Sequence, residues 1–134
     1  MGGIIGALFI SVEPRIKAAV ITVPRDKLSL MIKESQYHTV PAIRERIKEL
    51  GLSWEEVQRI LDPVDPINFI ELFSPRPLQI HIGRFDNIVP AGTGRLLAEK
   101  AKQPKEVYWY DVGHGLPLDV VLKRAMEFFK ISLN

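Results

Sequence analysis

Three short, nearly unbroken apolar runs, set apart by longer stretches of helical spacing, constrain this chain more than any other feature. "IKAAVITVP" (residues 16–24), "PLQIHIG" (residues 77–83) and "KEVYWYDVG" (residues 105–113) each read as a strand closed by proline or glycine. Strands that alternate with helices pair in parallel, because a crossover helix returns the chain to the same end of the sheet. Both faces of such a sheet are covered by helices, so its strands are rich in apolar residues. The expectation is an α/β fold with about three parallel strands and flanking helices.

The remaining segments supply the helices. Residues 2–12, "GGIIGALFISV", suit a short helix that is apolar on every side, a pattern that belongs in a protein interior, and Pro14 ends it. Gly2, Gly3 and Gly6 favour close packing, at roughly 1 kcal/mol each in helix propensity relative to alanine. Residues 25–73 read as an insertion of about three helices with no strand. "DKLSLMIKES" is a short amphipathic helix. "TVPAIRERIKELG" has Thr39 as cap, Pro41 in its first turn and Gly51 as its stop. Ser53 and Glu56 stand at capping-box spacing in "SWEEVQRIL". "DPVDPINFIELF", with Pro63 and Pro66, has room for a turn and one short helix. "TGRLLAEKAKQ" and "LPLDVVLKRAMEFFKISL" are the last two helices. All 134 residues are expected to form one domain.

Composition narrows the function. The net charge is +2 and basic residues alternate with acidic ones, so there is no basic stripe to track nucleic acid. No stretch approaches the ~18 apolar residues of a membrane span. The chain has no cysteine, hence no disulfide and no thiolate nucleophile, which is compatible with a cytoplasmic location. Three histidines without cysteine make a metal site an unpromising reading. "MGGIIG" faintly resembles a phosphate-binding glycine turn, but that turn needs a strand before it. No cofactor is expected.

Catalytic groups of open parallel sheets gather beyond the carboxyl ends of the strands. Asp86, in "GRFDNIVP", lies three residues past the end of one predicted strand, and His114, in "DVGHGLP", follows the next predicted strand directly. Adjacent parallel strands would bring their loops together, and an aspartate can then orient a histidine through one ring nitrogen. The glycines beside His114 would let the loop turn sharply. His38 reads as a surface residue of the insertion and His81 as a structural neighbour within its strand. Thr93, between glycines, is a poor substitute nucleophile because it opens a helix. Trp54, Phe69 and Phe73 could line an acyl pocket, although helix packing explains them as well.

"PLQIHIGRFDNIVP" followed by "VYWYDVGHGLP" resembles the carboxyl-terminal third of an α/β-hydrolase of the dienelactone hydrolase, acetyl esterase and prolyl-oligopeptidase-like group. That family orders its triad as nucleophile, acid, histidine, with the nucleophile in a G-x-S-x-G elbow between strand and helix. "MGGIIGALFI" resembles the helix side of that elbow, so the serine would stand immediately before Met1. The resemblance puts the acid at Asp86 and the general base at His114, and gives one oxyanion donor to the backbone N–H of Met1. It implies a carboxyl-terminal fragment of an ester or amide hydrolase, inactive alone, with a small-molecule ester or peptide as substrate of the intact enzyme. The rival expectation is a non-catalytic protein that reuses half of this fold to associate with itself. On either view the strand at residues 16–23 becomes an apolar edge, and a homodimer through that side is expected.

Overall fold

The structure, a computed structural model, describes residues 2–24 and 27–134. Helix α1 (Gly2–Val12) leads to strand β1 (Ala19–Thr22). Helices α2 (Leu28–Glu34), α3 (Val40–Glu49) and α4 (Trp54–Leu61) follow, and then three short 3₁₀ turns between Asp62 and Phe73. Strand β2 (Leu78–Gly83), helix α5 (Ala91–Lys100), strand β3 (Lys105–Tyr110) and helix α6 (Leu118–Ser132) complete the chain. The sheet runs in the order β1-β2-β3 with every pair parallel. β2 lies in the centre and all six of its residues are buried.

Alternation along the strands sorts the two faces of the sheet. Leu78, Ile80 and Ile82 of β2 join Ala19 and Ile21 of β1 in one apolar cluster with Ala7 and Ile10 of α1, Leu97 and Ala98 of α5, and Ile70 and Phe73. The other face is polar. It carries Gln79 and His81 beside Glu106, Tyr108 and Tyr110, with Arg124 of α6 laid over the Tyr108 ring at 4.0 Å.

Local chemistry accounts for the element ends. Ser53 accepts from the Glu56 N–H while the Glu56 carboxylate accepts from the Ser53 N–H, a complete capping box. Gly51 ends α3 with φ +65°, where a side chain would be strained. Thr39 occupies the cap position of α3, but its hydroxyl makes no capping bond. The strands are shorter than their apolar runs. β1 begins only at Ala19, opposite the first residue of β2, and Arg76 holds the chain before it by donating to the carbonyls of Glu13 and Ile16 at 2.7 and 3.0 Å. β3 ends at Tyr110, where the backbone leaves the ladder towards His114.

Two expectations need revision. α1 is not enclosed on all sides. Ala7 and Ile10 are buried, but Ile5, Phe9 and Val12 stand on its outer face, each at least half exposed. Among the three glycines of α1, only Gly3 meets another backbone closely. A Cβ there would lie 2.7 Å from the carbonyl oxygens of Thr22 and Val23, whereas Gly2 and Gly6 have open space.

Candidate active site

β2 and β3 end side by side, Gly83 opposite Tyr110, so the loops that follow them meet. Gly83 makes this possible. A Cβ at that position would lie 2.3 Å from the carbonyl oxygen of Gly113 and 2.9 Å from that of Val112. The demand for glycine thus falls on Gly83. The chain bends sharply from residue 111 to 115, as expected, and Gly113 and Gly115 do so beside His114 without a left-handed φ. The Arg84 and Phe85 N–H groups then donate to the carbonyls of Tyr110 and Val112 at 2.8 and 3.0 Å, binding one loop to the other.

Within these loops Asp86 and His114 meet. His114 Nδ1 lies 2.8 Å from Asp86 Oδ2. The other carboxylate oxygen, Oδ1, accepts from the N–H groups of Ile88 and Val89 at 2.9 and 2.7 Å. The Asp86 side chain is 1% exposed and the His114 side chain 45%. An ionised carboxylate accepts and cannot donate, so this contact gives the neutral imidazole its proton on Nδ1. Nε2 is then an acceptor, and among the described residues nothing is hydrogen-bonded to it. His114 borders a groove of about 320 Å³ whose other walls include Gly2, Gly3 and Gly6 of α1, Val23 and Val89. The amino end of α1 thus faces the imidazole. Val23, a β-branched residue with φ 43°, holds an uncommon conformation in that wall. A roomier groove of about 520 Å³ lies between Pro77, Pro104 and Phe128, near the start of β2 and the end of α6, and holds neither Asp86 nor His114.

No described hydroxyl is hydrogen-bonded to His114. Thr93 is fully buried and donates to the Pro90 carbonyl at 2.8 Å. Ser11, Ser35 and Ser74 donate to the carbonyls of Ala7, Ile88 and Gln103, and Ser29 to the Gln58 side chain. Met1, given an oxyanion donor by the resemblance, lies outside the described residues. Trp54, Phe69 and Phe73 do not line the His114 groove. Phe73 is part of the core, and Trp54 borders a separate groove with Leu30, Lys33 and Gln58. His38 is exposed and packs on the Tyr37 ring. No group of three or more histidines and acids gathers to hold a metal among the described residues. No helix among them is long and apolar enough to cross a membrane.

His81 is fully buried one strand away. Its Nδ1 meets the Tyr110 hydroxyl and its Nε2 the Gln79 side-chain oxygen, both at 2.8 Å. Gln79 turns its amide nitrogen to Glu106 at 2.8 Å, so its oxygen must face the ring and His81 carries its proton on Nε2. Tyr110 then donates to Nδ1 while accepting from Arg124. Burial, helped by the Arg124 charge and opposed by Glu106, pushes the His81 pKa down to about 4. The ring is a neutral strut rather than a ligand.

The sequence pointed to Asp86 and His114 but not to what holds them. The one available signal was an Asp followed by Asn in a loop, since such a side chain often bonds the backbone N–H two residues on, as Asp86 does with Ile88.

No protein-family model matches the sequence, and no curated protein does. Solved structures do match. An acetyl xylan esterase from Paenibacillus sp. R4 superimposes with a TM-score of 0.81 at 24% identity, over 98% of this chain and 42% of that one. A puromycin-hydrolyzing peptidase of Mycobacterium tuberculosis gives 0.74 at 18% identity, over 99% of this chain and 21% of that one. An α/β hydrolase from Penicillium sp. sh18 gives 0.68 at 16% identity, over 97% of this chain and 60% of that one. The chain therefore spans less than two thirds of each of these three structures. Three parallel strands, their flanking helices and these superpositions together show that the chain has a partial α/β-hydrolase fold.

Proposed function

We propose that this chain is the acid-and-histidine portion of a serine ester or amide hydrolase, competent in proton transfer and lacking the group that attacks. The observation that carries this reading is the Asp86–His114 contact at 2.8 Å, with the second ring nitrogen unpartnered beside the groove at the amino end of α1. In the intact enzyme a serine at that end of α1 would give its proton to Nε2 as its oxygen attacks the carbonyl carbon. His114 would then pass that proton to the leaving alcohol or amine. Asp86, buried and ionised, would hold the ring in the Nδ1–H form and stabilise the imidazolium. The esterase and peptidase names of the superimposed structures support a small-molecule ester or peptide bond as the target class. A second reading, a non-catalytic protein that associates with itself, is favoured by the exposed outer face of α1.

Turnover separates the two. The chain as it stands should hydrolyse p-nitrophenyl butyrate no faster than its His114→Ala variant. A product extended upstream through any in-frame codons ending in Gly-x-Ser should gain saturable hydrolysis that His114→Ala abolishes. A stop codon immediately upstream of Met1, or an extended product without His114-dependent turnover, would favour the self-associating protein.

A further inference from the structure

We infer that Ser35 and Gln36, in the helical insertion, position the carboxylate of Asp86 for His114; this rests on the pairing proposed above. Asp86 Oδ1 is held by two N–H groups, those of Ile88 and Val89. Each belongs to a rigid planar peptide unit whose other end is a carbonyl, that of Asn87 and that of Ile88 respectively. The insertion grips both carbonyls. The Gln36 N–H donates to Asn87 O at 3.0 Å. The Ser35 hydroxyl donates to Ile88 O at 2.6 Å. Both peptide planes that aim the carboxylate are therefore fixed at their far ends by one dipeptide, more than fifty positions away in the chain.

That dipeptide is itself anchored. Ser35 is 1% exposed, and its oxygen also accepts from the Tyr37 N–H at 3.1 Å. Arg44 of α3 donates to the carbonyls of Ile32 and Ser35 at 3.1 and 2.9 Å, binding the end of α2 to α3. The Asn87 side chain adds a bond to Gln36 Oε1 at 2.9 Å. A continuous line of hydrogen bonds thus runs from α3 through the end of α2 to the acid loop and on to His114. Its elements are side chains and peptide planes, so a displacement of the insertion turns the carboxylate.

The tautomer of each histidine, read from ring ¹⁵N shifts above the titration range of histidine, tests this in the chain as it exists. In the unaltered protein His114 should be held as Nδ1–H with a slowly exchanging proton, and His81 as Nε2–H. Ser35→Ala should lose the slowly exchanging Nδ1 proton of His114 and return the ring towards a mixture of tautomers. Its His81 signature should stay intact, as an internal measure of folding. Ser35→Thr, which keeps the hydroxyl, should retain the His114 proton, and Arg44→Ala should weaken it in the same direction as Ser35→Ala. If Ser35→Ala abolishes the His81 signature as well, Arg44→Ala decides. An unchanged His114 tautomer in a folded Ser35→Ala or Arg44→Ala protein would overturn the positioning role. Absence of the Nδ1–H form from the unaltered protein would instead overturn the Asp86–His114 pairing.

Discussion

His81 and His114 carry the same side chain in two opposite settings. His114 stands at the surface on a buried carboxylate, with its outer nitrogen open. His81 is enclosed between Gln79 and Tyr110, with both nitrogens occupied. The difference has a consequence for stability. The unfolded chain takes up a proton at this residue near the ordinary histidine pKa of 6.5, the folded chain only near 4. Between those values the unfolded state binds more protons, so stability is complete above about pH 6.5 and falls as the pH drops towards 4. The loss amounts to at most about 3 kcal/mol, from 1.36 kcal/mol per pKa unit. Urea unfolding followed from pH 7.5 to 4 should display this slope, and His81→Gln, which cannot titrate, should flatten it. An equal slope in both proteins would mean that His81 is charged in the fold.

Among the elements, what the sequence disclosed and what it withheld have separate physical causes. The three strands were legible because buried parallel strands need continuous apolar runs, and β2 lies within one residue of its expected bounds. The capping box of α4 and the stop at Gly51 were legible because each is set by chemistry within a few residues. Asp86 and His114 were legible because strand order places their loops together. The late start of β1 was not, since it depends on where the distant strand β2 begins to pair with it. Nor was the stretch from Asp62 to Phe73, which takes three 3₁₀ turns instead of one turn and one helix. The hold of Ser35 on the acid loop is a contact between distant segments, and no local spacing encodes such a contact. Gly83 was expected only to end a strand. Its further task, letting the His114 loop approach within a side chain's width, becomes visible once β3 is in place.

At the scale of the whole molecule, the sheet is unpaired at both edges among the described residues, β1 and β3, and the helix α1 that packs beside β1 has an apolar outer face. Ile5, Phe9 and Val12 recur at helical spacing there, and exposed apolar surface beside an open sheet edge invites association. The superimposed hydrolases are longer than this chain, which matches 42% of the Paenibacillus esterase. We expect a second copy to cover this side in the isolated chain, giving a two-fold dimer. Light scattering at micromolar concentration should return twice the 15.2 kDa chain mass, and Phe9→Lys should shift it to the monomer. A monodisperse monomer for the unaltered chain would exclude the dimer. Such a dimer and the acid–histidine pair are compatible, because α1 turns its outer face away from the groove it shares with His114.

The proposed proton relay is tested most directly by the His114 tautomer in Asp86→Asn. Asparagine keeps an oxygen for the Ile88 and Val89 N–H groups, so its amide nitrogen must turn towards His114 and donate to Nδ1. The ring should therefore change from the Nδ1–H form to the Nε2–H form, with His81 unchanged. A His114 tautomer that is the same in both proteins would contradict the account, because the carboxylate would then not be what orients the ring.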